Sequence, residues 1–159
     1  MTEKQRRGRR IAMTDAERDE FLAAERTARV ATIGADGPHA TPLWFGWHDG
    51  CIWLYSITRS RRWADLQKDP RLAIVVDAGD AYDELRGVEI TGVAEVVAEV
   101  PRIGEPVDDV SCGGLLDVEK LFAAKYFGLV EMFHDGRHAW LKVTPIKISS
   151  WDFRKLADL

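Results

Sequence analysis

The sequence is short of the residues that staple or metallate a small domain. Its 159 residues include two cysteines, Cys51 and Cys112, and four histidines, His39, His48, His134 and His138. No Cys-x-x-Cys occurs, and no histidine cluster flanks either cysteine, so the common zinc-ligand patterns are absent. His134 and His138 are four residues apart, but the Asp135-Gly136 turn between them breaks any shared helix face. No metal site is expected. The cysteines read as free thiols of a reducing compartment, which places the protein in the cytoplasm. There is no apolar run near the roughly 18 residues of a membrane span. The basic first ten residues are not followed by an apolar segment, so no secretory leader is expected. Positive charge is not in excess either: 22 Lys and Arg stand against 26 Asp and Glu, a net charge of -4. That balance argues against a general nucleic-acid partner. Internal repeats and low-complexity stretches are also missing.

What remains is the composition of a globular domain, 46% hydrophobic and 30% charged. The length suits one domain with a core of its own. Residues 1–13, with Lys4, Arg6, Arg7, Arg9 and Arg10, read as a basic flexible tail, and residues 14–159 as the single domain. Thr14 and Glu17 form a capping-box signature ahead of a short helix to about Glu25, with Phe21 and Leu22 apolar. Strands are then expected at Arg29–Ile33, His39–Trp47 and Cys51–Ile57, separated by Gly/Asp/Pro turns and pairing as a meander. A helix should start near Ser60 and stop before Pro70. Leu72–Val76 reads as a strand, and Gly87–Val100 as a long one bent or bulged at Gly92. Asp117–Phe127 reads as an amphipathic helix, with Val118, Leu121, Phe122 and Lys125 on one side and Gly128 as its C-cap. His138–Thr144 and Ile146–Phe153 are expected as two final strands parted by Pro145. Short turns and peripheral helices favour a mainly β, closed-barrel fold.

The chemistry concentrates where the third strand runs into the second helix, Tyr55 to Trp63. A helix N-terminus offers free N–H groups and a positive dipole end. Thr58 and Ser60 add hydroxyls, and Arg59, Arg61 and Arg62 add guanidinium groups whose planar forks match phosphate. These residues read equally as a phosphate site or as a solvated basic face. Six tryptophans are many for this length, and Trp44, Trp47, Trp53 and Trp63 cluster around the basic loop. An aromatic surface beside a phosphate clamp suits a planar heteroaromatic cofactor. There is no Ser-His-Asp or Cys-His arrangement. His39 and Tyr126 are the only general-acid candidates, and each reads more readily as structural. The stretch around Asp108, Asp109 and Cys112 reads as a surface connection, with a lid as the sharper alternative.

The chain resembles the pyridoxamine 5'-phosphate oxidase-like, FMN-binding split-barrel superfamily. The residues that carry the likeness are Arg29–Phe45, Leu54–Thr58, Ser60-Arg61-Arg62, Leu66–Arg71 and Gly87–Glu95, in this order. The resemblance implies a six-stranded antiparallel split barrel forming a homodimer, with the cofactor in a groove at the interface. Ser60-Arg61-Arg62 stands where the family has Ser-Arg-Lys around the cofactor phosphate. By the same matching, Thr41, Pro42, Leu43 and Trp44, with Ser56, Ile57 and Thr58, would line the ring system. The chain ends Ser150–Leu159 without the Arg-Leu-x-Pro terminus by which true pyridoxamine-phosphate oxidases clamp substrate. Its ending is similar to the actinobacterial flavin/deazaflavin oxidoreductases. The implied activity is hydride transfer between FMN or coenzyme F-420 and a small conjugated or heteroaromatic substrate. The alternative is a non-catalytic split barrel that holds a flavin, haem or other planar ligand.

Overall fold

The computed structural model describes residues 1–158. Seven antiparallel strands form one sheet: β1 Ala28–Gly34, β2 Gly37–Leu43, β3 Phe45–His48, β4 Cys51–Ile57, β5 Arg71–Ala78, β6 Arg86–Val97 and β7 His138–Asp152. Their order is β2-β1-β5-β6-β7-β4-β3. The edge strands β2 and β3 are consecutive in the chain, with only Trp44 between them. The sheet is thereby curled so that one short link joins its two edges, which is the split barrel.

The strand count is seven where the resemblance implied six, and it equals the number of segments read from the pattern, but two boundaries differ. The run His39–Trp47 is cut at Trp44, because its first half pairs with β1 (Leu43 opposite Ala28) and its second half with β4 (Phe45 opposite Leu54). One straight strand cannot serve partners at opposite ends of the sheet order, so the expected meander is only partly realised. Conversely, the two strands expected either side of Pro145 are one strand, β7. Proline lacks a ladder N–H, and the register slips there: Thr91 faces Lys147 while Gly92 faces Pro145, leaving Ile146 bulged. The irregularity expected at Gly92 is present, with the extra residue on the partner strand.

The helices are α1 Asp15–Ala24, α2 Arg61–Lys68, the short α3 Asp109–Cys112 and α4 Leu115–Phe127. Thr14 caps α1 through the reciprocal box with Glu17. Gly128 ends α4 in the left-handed region, at φ 65°, which a β-carbon would disfavour. Two apolar groups follow from strand alternation. Val30, Phe45, Ile52, Leu54, Ile74 and Ile90 fill the barrel. Trp53, Tyr55 and Trp140 point out of it, against Leu115, Val118, Phe122 and Tyr126 of α4. Strand β4 is therefore buried on both faces. Leu121, expected on the packed side of α4, is half exposed, and Glu119 takes an inward place instead.

The basic N-terminal segment makes specific contacts along β7. The Glu3 N–H donates to the carbonyl of the bulged Ile146 (2.7 Å), and the Gln5 amide exchanges hydrogen bonds with the Ser150 backbone. The Asp152 N–H donates to the carbonyl of Ile11 (2.7 Å). Among the described residues no helix is long and apolar enough to cross a membrane.

Candidate functional site

The strand–helix junction is built from local rules. After β4 ends at Ile57, the chain turns through Thr58-Arg59, and Ser60 caps α2 by accepting the Trp63 N–H at 3.1 Å. Successive helix residues diverge by about 100°, so Arg61 and Arg62 part company. Arg61 lies out towards the β1–β2 turn, 4.0 Å from the Asp36 carboxylate and half exposed. Arg62 turns inward and is only 7% exposed. Its Nε donates to Ser56 Oγ (3.2 Å) and its Nη1 to Thr41 Oγ1 (2.5 Å). Two hydroxyls meet the guanidinium, and no carboxylate pairs with it among the described residues. Burial accordingly pulls the Arg62 pKa below its ordinary value. One turn on, buried Asp65 accepts a hydrogen bond from Thr32 Oγ1 (2.8 Å). His39 Nδ1 stands 3.9 Å from the same carboxylate, enclosed and without a hydrogen-bond partner.

On the outer face of these strands is a second feature, an aromatic cavity of about 460 Å³. Pro42, Leu43 and Trp44 form one wall, and Tyr55 with Phe122 and Phe127 of α4 form another. Trp44 stacks on Tyr126 at 4.4 Å and 12°. The Tyr126 hydroxyl is fully engaged: it accepts the Phe45 N–H (3.1 Å) and shares its proton between the Arg26 and Phe45 carbonyls (2.8 and 2.9 Å). Burial pushes its pKa up to about 12. Tyr126 thus fixes the ring of Trp44, and its proton is committed to the backbone.

The cavity's polar end is a turn. Asp135 accepts the backbone N–H groups of Arg137 (2.9 Å) and His138 (3.1 Å), and its other oxygen lies 2.6 Å from His138 Nδ1. Burial raises the Asp135 pKa, but these hydrogen bonds outweigh it and leave the carboxyl below its ordinary value. The His138 ring stacks on Tyr55 at 4.7 Å. The Tyr55 hydroxyl is enclosed without a hydrogen-bond partner. Burial drives its pKa upward, and the charges of Asp135 and Glu119 add to the rise.

Thus the structure sorts the ten residues matched to the cofactor. Thr41, Ser56 and Arg62 meet, with Ser60 capping the helix that carries Arg62. Pro42, Leu43 and Trp44 line the aromatic cavity. Thr58 holds the Asp135 turn, its N–H and hydroxyl both donating to the Arg137 carbonyl (3.0 and 3.2 Å). Ile57 pairs with His138 across the β4–β7 ladder. Arg61 stays apart from the Arg62 group.

Sequence reasoning passed over Asp135 and His138 as a pair, reading only the turn between them. It also passed over Arg102 and Glu119, both buried. Arg102 Nε donates to Glu119 Oε1 at 2.7 Å, and its Nη1 reaches Glu99 and the Glu105 carbonyl. The same Glu119 carboxylate accepts Trp140 Nε1 (3.1 Å) and lies 3.2 Å from His134 Nε2.

A sequence model of the pyridoxamine 5'-phosphate oxidase family matches residues 14–111, more than half of the chain. No curated protein matches. Among solved structures, a conserved hypothetical protein from Mycobacterium tuberculosis is 33% identical. That match covers 98% of this chain and 93% of the other, with a TM-score of 0.76. An FAD-binding protein from Mycobacterium smegmatis shares the fold at 15% identity, over 87% of this chain and 94% of the other, with a TM-score of 0.62. An F-420 reductase shares it at 19% identity, over 82% and 94%, with a TM-score of 0.57. The junction, the barrel and these likenesses agree: the chain belongs to the pyridoxamine 5'-phosphate oxidase family of split-barrel proteins.

Proposed function

We propose that this protein is a flavin- or deazaflavin-dependent oxidoreductase, binding FMN or coenzyme F-420 and acting on a small conjugated or heteroaromatic substrate. The observation that carries the reading is Arg62. A buried guanidinium without a counter-ion is costly, and a phosphate would supply the missing charge. Thr41, Ser56 and Ser60 would complete the phosphate cradle, and Pro42, Leu43 and Trp44 would meet the ring. Arg61, half exposed, would add attraction at longer range. The FAD-binding protein and the F-420 reductase of the same fold support a cofactor with this build.

When bound, the cofactor supplies the hydride chemistry. The chain's own part is to bind, orient and exclude water. Arg62 and its hydroxyl partners hold the anionic end. Trp44, braced from behind by Tyr126, offers a flat apolar surface. Phe122 and Phe127 keep the neighbouring cavity dry. We place the protein in the cytoplasm as a homodimer with the site at its interface. The exposed apolar side chains of Ile33 on β1, Val93 on β6 and Ile146 on β7 support a partner against the barrel wall.

The test is a fluorescence titration with FMN and with F-420, on the natural protein and on Arg62→Ala. Micromolar or tighter binding of one cofactor, weakened at least tenfold in the variant, is the expected result. Absence of binding by both overturns the reading. Binding without reduction of any acceptor leaves the non-catalytic alternative.

A further inference from the structure

The aromatic cavity carries a polar end that cofactor binding does not use. Asp135 is saturated: one oxygen takes two backbone N–H groups and the other faces His138 Nδ1. With the carboxylate as acceptor, Nδ1 carries the hydrogen and Nε2 is left for a ligand. The imidazole is held by its stack on Tyr55 and by the Asp135 contact, so it is presented in one orientation. Tyr55, nine-tenths buried, contributes its ring to the same wall, its hydroxyl being enclosed. Apart from Thr27, the rest of the lining is aromatic or apolar. At the mouth, the rings of Trp44 and Phe133 are 42% and 54% exposed, a cost that a flat ligand would offset.

We infer that the Asp135–His138 end of this cavity is the substrate site, taking a flat aromatic molecule with one hydroxyl at its edge, which donates a hydrogen bond to His138 Nε2. The inference rests on the cofactor reading above, because it leaves the Arg62 cradle and the Pro42–Trp44 wall to the cofactor. His138 is then the residue that selects a hydroxyl-bearing ring over a bare hydrocarbon. Asp135 is a positioning residue that fixes the tautomer and orientation of His138. Thr58 keeps the turn in place through the Arg137 carbonyl.

Two probes that differ by one oxygen test this, 2-naphthol and naphthalene, titrated against the protein and followed by tryptophan fluorescence. 2-Naphthol should bind at least about tenfold more tightly, as one buried hydrogen bond predicts. His138→Phe should abolish the difference while leaving naphthalene affinity within about twofold. Asp135→Asn should narrow it. Phe133→Ala, on an exposed ring, should weaken both probes alike and keeps the cavity assignment testable if His138→Phe fails to fold. Equal affinity for the two probes overturns the inference, as does a preference that survives in His138→Phe. The titration is repeated on protein loaded with whichever cofactor binds. Loss of 2-naphthol binding on loading also overturns it, because the cofactor then fills the Asp135–His138 end as well. If neither cofactor binds, the proposed function fails, while the two probes still decide the cavity's ligand class on the unloaded protein.

Discussion

The protein buries two arginines and treats them in opposite ways. Arg102 is surrounded by carboxylates: Glu119 takes its Nε, Glu99 its Nη1, and its pKa, lowered by burial, is more than restored by these partners. Arg62 is surrounded by hydroxyls, and nothing offsets the burial. A guanidinium matched by internal carboxylates is a fastening. One matched only by neutral groups has electrostatic room for an anion from outside. Burial alone does not separate the two cases, since both side chains are almost wholly enclosed. The partners do.

This contrast can be broken from either side. The largest effect is expected at Arg102→Ala, which strands Glu119 and Glu99 without their cation. A loss of about 3–5 kcal/mol is expected from urea denaturation. Next is Arg62→Met, which removes an uncompensated charge and keeps the volume. Cofactor affinity should fall by about 1.5–3 kcal/mol, roughly 10- to 150-fold, while folding stability stays level or rises. Parallel denaturation and fluorescence titration would show the split. A loss of stability matching that of Arg102→Ala would refute the distinction. Arg61→Ala should cost less than about 1 kcal/mol of binding, and this cost should shrink as salt is added, because its side chain is half exposed. The smallest effect is in pH. The Glu99 carboxyl sits below its ordinary value: burial raises it, but hydrogen bonds from its own backbone, from Arg102 and from Ile103 prevail. Its contribution to stability is therefore complete above the ordinary carboxylate range and is lost as pH falls through the folded value. In Arg102→Ala that part of the acid-side slope should flatten, which a denaturation series from pH 7 to about pH 3 measures.

Local signals were legible in the sequence, and partnerships were not. The Thr14–Glu17 box, the Ser60 cap and the Gly128 cap are written within four residues of chain. So is the turn at Asp135-Gly136. The cut at Trp44 is not, because nothing local says that the two halves of one β-rich run pair with strands at opposite ends of the sheet order. Pro145 misled in the other direction: a bulge absorbs its missing donor and the strand continues. Arg62 was singled out with its neighbour Arg61, yet composition cannot say which of two adjacent arginines turns inward. Glu119 and Arg102 carried no signal at all, since a charged residue on a helix or in a loop is usually solvated. Their burial depends on residues 17 positions apart. The resemblance assigned Arg62 to the phosphate and Thr41 and Ser56 to the ring; that these hydroxyls meet the guanidinium across 21 residues of chain is seen only in the structure.

The long strand β7 has a consequence for how the molecule is made. It is the last strand among the described residues, yet it lies between β4 and β6, pairing with β4 over 138–143 and with β6 over 140–152. Until His138–Asp152 is synthesised, the β3–β4 hairpin and the β1–β5–β6 ladder are separate ribbons, each with an apolar edge unpaired. Closure must therefore wait until β7 has been synthesised, and nascent or truncated chains that stop short of β7 should be clients for chaperones and proteases.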